Sequence, residues 1–407
     1  MSYQKFQADQ LFDGYEFLKN DHVLITDEEG TIEDVLSEQN AGDDIQRFHG
    51  ILSPAFVNCH CHLELSHLKD VIPPHTGLVE FLCSVVTKRE TIGIEAPEEF
   101  AKRKMQAIID AENEMYNNGI AAVGDIGNTA DTAEVKSRSK IRWQNFVEVL
   151  GFTDEKAEEN IDFYKQVAQT LESKLRASNV EYRTSLVPHA PYSISPKTFE
   201  LINQLTEKQI ISIHNQEHPA EDELYRTGGG DYLRLFKIFG VDKSPFPVTG
   251  KSSIRSYLPH FNKGQTVFLI HNTYMPEEDI VFANEYANEN GLALVYCFCP
   301  NANLYIEDKL PQIDLFVRHN CRLVLGTDSY SSNWQLSIAK EIGTIMHTRV
   351  QNHDGDQFIG FDKVLQWATI NGARALQWDD ELGSFEKEKK PGVIVIDNNK
   401  WTSKRLI

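Results

Sequence analysis

Two histidines separated by a single residue, His60 and His62, follow an apolar run that starts after a Ser-Pro break at residues 53–54. This pattern predicts a short buried strand. Because strand side chains alternate between faces, the two imidazoles point the same way and lie about 7 Å apart. Neutral imidazole is the commonest nitrogen ligand of zinc and iron. The pair therefore predicts half of a metal site, and other parts of the chain have to supply the remaining ligands.

Four further titratable groups each stand directly after an apolar, strand-like run. They are His189, His214, His271 and Asp328. In barrel enzymes the carboxyl ends of the strands build the active site. A satisfied core or loop side chain explains any one of these residues better than a metal ligand does. Their repetition, together with the first pair of histidines, predicts one shared metal site.

A hydrolytic metal needs a few nitrogen and carboxylate ligands and one open position for water. The available groups include such a set: His60, His62, His214 and Asp328. Glu217 follows His214 by three residues, and a carboxylate in that loop can take a proton from coordinated water and pass it to a substrate. In isolation Glu217 would be interpreted as a solvated loop acid.

Eight strand-like runs alternate with helix-like segments along the chain. The runs cover residues 54–59, 120–126, 143–150, 182–188, 210–213, 266–270, 292–296 and 322–325. This alternation predicts an α/β fold with parallel strands, and the count of eight matches a (β/α)8 TIM barrel. A doubly wound sheet is the alternative, and it is disfavoured because no Gly-x-Gly-x-x-Gly motif opens a helix.

The two ends of the chain are typical of short strands and turns. We expect residues 1–53 and 378–407 to form a small composite β-sandwich domain, and residues 54–377 to form the catalytic barrel. The longest stretch without periodicity covers residues 226–265 and contains Gly228-Gly229-Gly230. Loops of that length inside compact domains are usually functional, so this stretch predicts a lid or substrate loop.

The composition excludes several classes of function. The formal net charge is −20, which argues against a nucleic-acid or membrane-surface partner because phosphate contacts need clustered Lys and Arg. No apolar stretch approaches transmembrane length, and the first residues lack a secretory signal pattern. We therefore expect a cytoplasmic protein with a small-molecule substrate. The six cysteines do not form a disulfide framework, and the pairs Cys59/Cys61 and Cys297/Cys299 lack the Cys-x-x-Cys spacing of a zinc site.

The sequence around these residues resembles the amidohydrolase superfamily. The matching motifs are Asn58-Cys59-His60-Cys61-His62, Pro188-His189-Ala190-Pro191-Tyr192, His214-Asn215-Gln216-Glu217, His271-Asn272, Cys299-Pro300-Asn301-Ala302-Asn303 and Gly326-Thr327-Asp328. They are similar to the branch of chlorohydrolases and aminohydrolases that includes S-adenosylhomocysteine/methylthioadenosine deaminase, guanine deaminase and aminofutalosine deaminase. The motifs occur in the family's order, and the flanking β segments resemble its composite small domain, so the resemblance covers nearly the whole chain.

The resemblance implies the composition of the metal site. It makes His60, His62, His214 and Asp328 the metal ligands. Binuclear members of the superfamily carry a carboxylated lysine on the fourth strand, and residues 182–188 contain no lysine. We therefore expect one divalent metal ion, with zinc as the first choice and iron as the alternative.

The resemblance also implies the residues of catalysis. Glu217 would be the proton shuttle, and His271 would hold the attacking hydroxide together with Asp328. His189 and Asn303 would contact the substrate. The reaction implied is hydrolytic deamination, with release of ammonia from an amino-substituted purine or nucleoside.

The residues that follow His62 look most like the aminofutalosine deaminase group, which suggests an adenine-bearing nucleoside with a modified ribose. Glu80 is a candidate acceptor for a ribose hydroxyl, although an exposed acid on an amphipathic helix fits equally well, and Lys88 or Arg89 could meet a carboxylate. Two alternatives stay open: hydrolysis of a chloro or amide substituent on another nitrogen heterocycle, and a non-catalytic member of the superfamily. Analogy with the family also suggests a homodimer.

Overall fold

The computed structural model describes residues 3–19, 21–89, 96–351 and 359–407. Within these ranges the strands are β1 Tyr3–Leu11, β2 His22–Asp27, β3 Ile32–Ser37, β4 Gln46–Pro54, β5 Phe56–Cys61, β6 Ile120–Gly127, β7 Arg142–Val149, β8 Tyr182–Pro188, β9 Ile210–Asn215, β10 Thr266–His271, β11 Ala293–Phe298, β12 Leu323–Leu325, β13 Val393–Asp397 and β14 Thr402–Arg405.

The helices in the same ranges are α1 Glu38–Ala41, α2 Leu78–Lys88, α3 Pro97–Asn117, α4 Ala133–Lys136, α5 Ala157–Arg176, α6 Pro196–Leu205, α7 Pro219–Thr227, α8 Tyr232–Ile238, α9 Ser253–Tyr257, α10 Glu277–Asn290, α11 Pro300–Glu307, α12 Ile313–Arg318, α13 Ile338–Gln351, α14 Phe361–Ala368 and α15 Ile370–Ala375. None of these helices combines the length and the apolar composition that crossing a membrane requires.

Eight of the described strands form two four-stranded parallel sheets. One runs in the order β5-β6-β7-β8 and the other in the order β9-β10-β11-β12. Backbone hydrogen bonds join the sheets at both outer edges: the His214 amide donates to the His189 carbonyl (3.0 Å), and the Asp328 amide donates to the His60 carbonyl (3.0 Å). Each predicted strand-like run coincides with one of these strands to within a few residues. The predicted parallel α/β architecture is confirmed.

The parallel strands are apolar because both of their faces are covered. Every residue of β5 and β9 is buried, and the amphipathic helices α3 and α5 pack against β6, β7 and β8. Gly119 lies two residues after the end of α3 and has a positive φ of 83°. A Cβ atom at this glycine would lie 2.3 Å from Cγ2 of Ile394 on β13. The close approach therefore requires glycine and brings the C-terminal segment against the parallel strands.

Strands from both ends of the chain form one six-stranded sheet in the order β14-β13-β4-β1-β2-β3. Strand β4 pairs in parallel with β1 and antiparallel with β13. The six described strands from the two ends of the chain are therefore hydrogen-bonded into a single sheet, which corrects the predicted β-sandwich. The reason is that β13 adds to the edge of β4 and extends the ladder sideways, whereas a sandwich needs two stacked sheets. Phe6, Leu24, Leu52 and Val393 form part of the sheet's own apolar core.

The segment predicted as a lid or substrate loop contains the helices α8 and α9. Tyr232 and Phe236 of α8 are buried and belong to an apolar cluster that also includes Leu78 and Phe81 of α2. Parts of this segment are therefore packed helices where the sequence predicts irregular chain. Helices as short as α8 fall below the window of about 11–18 residues in which apolar periodicity can be recognised.

Candidate active site

The predicted metal ligands meet at the carboxyl ends of three strands. His60 and His62 come from the end of β5, His214 from β9, and Asp328 from the turn after β12. Nε2 of His60 lies 3.7 Å, and Nε2 of His62 lies 3.6 Å, from Oδ1 of Asp328. The ligating atoms of the three histidines all lie within 4.8 Å of one another. We refer to these four residues as the ligand cluster.

The ligand cluster has unused hydrogen-bonding capacity. Both ring nitrogens of His60 are buried without a hydrogen-bond partner among the described residues, and such a group costs about 1–3 kcal/mol if nothing binds it. Burial and neighbouring histidines lower the pKa of His60 and of His62 well below the usual value. Both rings are therefore neutral, which is the form that binds metals. Three imidazoles and one carboxylate fit a divalent ion such as zinc.

Hydrogen bonds orient the other two ligands. Nδ1 of His214 lies 2.8 Å from the backbone carbonyl of His189. Because a carbonyl oxygen only accepts, Nδ1 carries the proton and Nε2 keeps its lone pair for the cluster. Oδ1 of Asp328 accepts a hydrogen bond from the Ser329 amide (2.8 Å), and Oδ2 accepts one from the Ser332 hydroxyl (2.7 Å). These contacts hold both ligand side chains in one orientation.

Three residues at the strand ends of the site have a left-handed backbone conformation. The φ angle is 41° at Gln216, 70° at His271 and 57° at Asp328. Side chains other than glycine rarely adopt this left-handed region, and the cost is about 1–3 kcal/mol for each residue. Two of the three strained residues are predicted catalytic residues, and the third precedes Glu217.

Glu217 is placed for proton exchange beside the ligand cluster. Its Oε1 lies 3.1 Å from Nε2 of His271, and that nitrogen lies 4.0 Å from Oδ2 of Asp328. Burial, Asp328 and Glu221 raise the pKa of Glu217 well above its usual range. A carboxyl group with a raised pKa can take up and release a proton near neutral pH.

A pocket opens above these groups. Its polar floor is formed by His62, His189, His214, Glu217, His271 and Asp328. Its walls include the apolar side chains Leu78, Phe81, Leu82 and Val85 of α2, Leu235 of α8, and Phe152, Phe239 and Ile306. A few converging polar groups in an otherwise apolar cavity are the usual composition of a small-molecule site.

His189 lines the pocket, as expected for a substrate contact. Asn303 does not line it. The amide nitrogen of Asn303 instead lies 3.5 Å from Nδ1 of His271 and also donates to the Thr273 hydroxyl. Because an amide nitrogen only donates, Nδ1 of His271 accepts and Nε2 carries the proton that faces Glu217. The prediction for Asn303 is corrected from a substrate contact to a residue that orients His271.

The structure does not bring Glu80 to the pocket. Its side chain is 49% exposed and pairs with Arg234 of α8 at 2.5 Å. The side of α2 that faces the pocket carries Leu78, Phe81, Leu82 and Val85, and the residue two positions after Leu78 lies on another side of the helix. The predicted contact between Glu80 and a ribose hydroxyl is therefore corrected.

Sequence reasoning missed three polar residues at the edge of the pocket. Glu148 lies at the pocket end of β7, and burial raises its pKa to about 7. Asn128 donates to Glu148 at 3.0 Å, and Glu64 accepts a hydrogen bond from the Arg89 guanidinium at 2.9 Å. The Arg89 side chain therefore has an acid partner within the protein. A signal for Glu148 exists in the sequence, because it is a lone acid inside the apolar run of residues 146–150.

The sequence of this chain is similar to those of known proteins. The sequence model of the Amidohydrolase family matches residues 51–405. The chain is 25% identical to 5-methylthioadenosine/S-adenosylhomocysteine deaminase of Teredinibacter turnerae over 354 residues, which cover 86% of this chain and 72% of the relative. It is 23% identical to aminodeoxyfutalosine deaminase of Nitratiruptor sp., over 72% of this chain and 67% of the relative.

Solved structures share the fold. The aminofutalosine deaminase of Helicobacter pylori in complex with methylthio-coformycin superposes with a TM-score of 0.74 at 20% identity, over 99% of this chain and 100% of that chain. An adenosine deaminase from Xanthomonas campestris with bound zinc gives a TM-score of 0.72 at 22% identity, over 97% and 84% of the two chains. The fold is thus TIM-barrel-like with a separate sheet domain. The chain belongs to the amidohydrolase family, a metal-dependent family of hydrolases that act on carbon–nitrogen bonds.

Proposed function

We propose that this protein is a mononuclear, metal-dependent deaminase that hydrolyses an amino-substituted purine nucleoside and releases ammonia. The observation that carries the proposal is the contact of 3.1 Å between Glu217 and His271 beside the ligand cluster, on the floor of one pocket. The relatives support the substrate class, since they are named as deaminases of 5-methylthioadenosine, S-adenosylhomocysteine and aminodeoxyfutalosine. The methylthio-coformycin bound by the Helicobacter pylori neighbour is also nucleoside-like.

His60, His62, His214 and Asp328 would hold one divalent ion. Zinc is the first choice because the donor set of imidazoles and one carboxylate suits it, and iron is the alternative. One ion is proposed because β8 carries no lysine that could bridge two. A divalent ion in such a site lowers the pKa of a coordinated water toward neutrality and so supplies the nucleophile.

The protein's own groups would then move the protons. Glu217 takes a proton from the attacking water and delivers it to the ring nitrogen next to the amine-bearing carbon. A bond forms between the water oxygen and that carbon. The second proton of the water then passes from the new hydroxyl to the amine, the carbon–amine bond breaks, and ammonia leaves as the carbonyl forms. The proton on Nε2 of His271 and the carboxylate of Asp328 orient the attacking oxygen. The sum of the steps converts one amine and one water into one carbonyl group and one ammonia.

We infer that residues 54–377 form a closed (β/α)8 barrel and that residues 1–53 and 378–407 form the small composite domain. Hydrogen bonds from His214 to His189 and from Asp328 to His60, across both edges of the two parallel sheets, support closure. The expected cytoplasmic location and the homodimer stay predictions.

The test is elemental analysis of the purified protein beside an ammonia-release screen over adenine nucleosides, guanine, cytosine and aminofutalosine. We expect about one zinc or iron per chain and ammonia from a single type of nucleoside. One metal per chain without ammonia from any compound would contradict deamination and favour another leaving group, such as chloride from a chlorinated heterocycle. A protein that binds no metal would contradict the catalytic proposal itself.

A further inference from the structure

The carboxylate of Glu148 lies between two histidines at the pocket end of β7. Its Oε1 is 3.7 Å from Nδ1 of His214 and 4.0 Å from Nε2 of His189. The side chain is 5% exposed and lines the pocket. In the part of the chain that the structure describes, the other oxygen, Oε2, accepts a hydrogen bond from Asn128, but no group donates one to Oε1. One oxygen of a buried acid is therefore open toward the pocket.

The surroundings of Glu148 do not form a second metal site. Glu148, His189 and His214 lie close enough together to be considered as ligands. However, Nδ1 of His214 carries a proton, because it donates to the carbonyl of His189 at 2.8 Å, so this nitrogen has no lone pair for an ion. One carboxylate and one imidazole remain, which are too few ligands for a closed site.

Hydrogen bonds hold the Glu148 carboxylate in place. The amide nitrogen of Asn128 donates to the Glu148 backbone carbonyl at 2.8 Å and to Oε2 at 3.0 Å. The amide oxygen of Asn128 in turn accepts a hydrogen bond from Arg89 at 3.2 Å, and its backbone amide donates to Glu64 at 3.1 Å. A carboxylate supported in this way presents Oε1 in a defined direction, as a specificity contact requires.

Among the described residues, three acids line the pocket, namely Glu148, Glu217 and Asp328. The proposed function uses Glu217 for proton transfer and Asp328 for the metal. Of these three, Glu148 is the one that remains to accept a hydrogen bond from the substrate. A buried acceptor without a donor is costly, so we expect the substrate to supply an N–H or O–H group at this point.

The chemistry of an aminopurine nucleoside limits the choice of donor. Its amine has to face Glu217 and the ligand cluster, because that amine is the leaving group. The other ring nitrogens of the base only accept, so the remaining donors are the sugar hydroxyls. The 2′-hydroxyl lies beside the ring nitrogen next to the glycosidic bond, and Oε1 of Glu148 lies 4.0 Å from Nε2 of His189.

We propose that Glu148 accepts a hydrogen bond from the ribose 2′-hydroxyl while His189 contacts the neighbouring ring nitrogen, so that the site selects ribonucleosides over 2′-deoxyribonucleosides. This inference rests on the proposed deaminase function. Glu148 on β7 would thus make the hydroxyl contact that the sequence predicts for Glu80 on α2.

The test compares zinc-loaded wild-type protein with the variants Glu148→Gln and Glu80→Gln. Ammonia release from adenosine and from 2′-deoxyadenosine gives two values of kcat/KM for each protein. Hydrogen bonds to charged acceptors are stronger than those to neutral ones, so we expect wild type to prefer adenosine by about 10- to 100-fold. In Glu148→Gln the preference should fall about tenfold, through slower reaction of adenosine, and Glu80→Gln should keep the wild-type preference.

A second measurement does not depend on turnover. Calorimetric titration of the zinc-loaded proteins with inosine and 2′-deoxyinosine should give the same order of preference, and elemental analysis should show unchanged zinc in each variant. Equal binding of the two products by wild type would overturn the inference. So would an equal loss on both substrates in Glu148→Gln, which indicates a purely structural role, or a loss of preference in Glu80→Gln alone. Wild-type protein that releases no ammonia from any nucleoside would instead contradict the proposed function.

Discussion

Two groups of buried polar side chains near the carboxyl ends of the parallel strands differ in how completely they are paired. Lys136 and Asp125 form an ion pair at 2.5 Å, with side chains only 2% and 1% exposed. The Lys136 ammonium also donates to Asn145 at 2.7 Å, and the second oxygen of Asp125 accepts the Leu63 amide at 2.8 Å. In the ligand cluster, by contrast, neither ring nitrogen of His60 has a partner among the described residues.

This difference distinguishes polar side chains that stabilise the fold from polar side chains that are available to bind an ion. The Lys136–Asp125 pair is complete within the protein, and through Leu63 it holds the backbone directly after the ligand His62. Such a pair specifies a local structure and needs nothing from outside. The ligand cluster is incomplete, so a bound ion has to supply the missing interactions. The unused hydrogen-bonding capacity of His60 thus marks a position where an ion can bind.

The largest expected effect comes from a change that disables the site and leaves the four ligands intact. Glu217→Gln removes the proton acceptor but keeps the shape of the side chain, so turnover should fall about 100- to 10,000-fold while metal content stays at the wild-type level. Ammonia release and elemental analysis measure the two quantities. Glu223→Gln changes an exposed acid on α7, the helix that follows Glu217; it is the matched control and should retain wild-type turnover. Near-normal turnover of Glu217→Gln would remove this residue from the mechanism.

Mutation of the Lys136–Asp125 ion pair should lower the stability of the fold, whereas Glu217→Gln should lower turnover. Lys136→Met leaves Asp125 buried without its partner, so the free energy of unfolding should fall by about 3–5 kcal/mol. Urea unfolding of the zinc-loaded proteins measures the change. Lys174→Met removes an ammonium group that is 60% exposed and should change the free energy of unfolding by less than about 1 kcal/mol. Equal, small changes in the two variants would show that the buried pair does not support the fold.

A smaller effect is expected at Ser332, whose hydroxyl forms a hydrogen bond to the metal-ligand candidate Asp328. Ser332→Ala removes the hydrogen bond to Oδ2 of Asp328, which is 2.7 Å long. The affinity for zinc should fall about 10- to 100-fold, and turnover at saturating zinc should change much less. Competition with a chelator measures the affinity, and Ser173→Ala, on the exposed side of α5, serves as the control. Unchanged affinity in Ser332→Ala would mean that Asp328 does not need this support.

The strands and the ligand cluster could be predicted from the sequence because each ligand follows an apolar run, and parallel strands bring their carboxyl ends together. The surroundings of Glu80 could not be predicted in the same way. The apolar residues of α2 cover a wide arc, and only its packing against α8 decides which side faces the pocket. Glu148 was missed because both faces of a strand in a covered parallel sheet are buried, so alternation does not reveal which residue faces the pocket. The single sheet formed by the two ends of the chain could not be predicted either, because it depends on pairing between β4 and β13, which lie far apart in the sequence.

The central claim is that the ligand cluster holds one divalent ion. Elemental analysis of wild type, His214→Ala and His49→Ala, purified side by side, is the test, since His49 is fully exposed and lies on β4, which carries none of the four ligands. We expect about one equivalent of zinc or iron in wild type and in His49→Ala, and less than about one tenth of an equivalent in His214→Ala. A full equivalent in His214→Ala would contradict the assignment of the site.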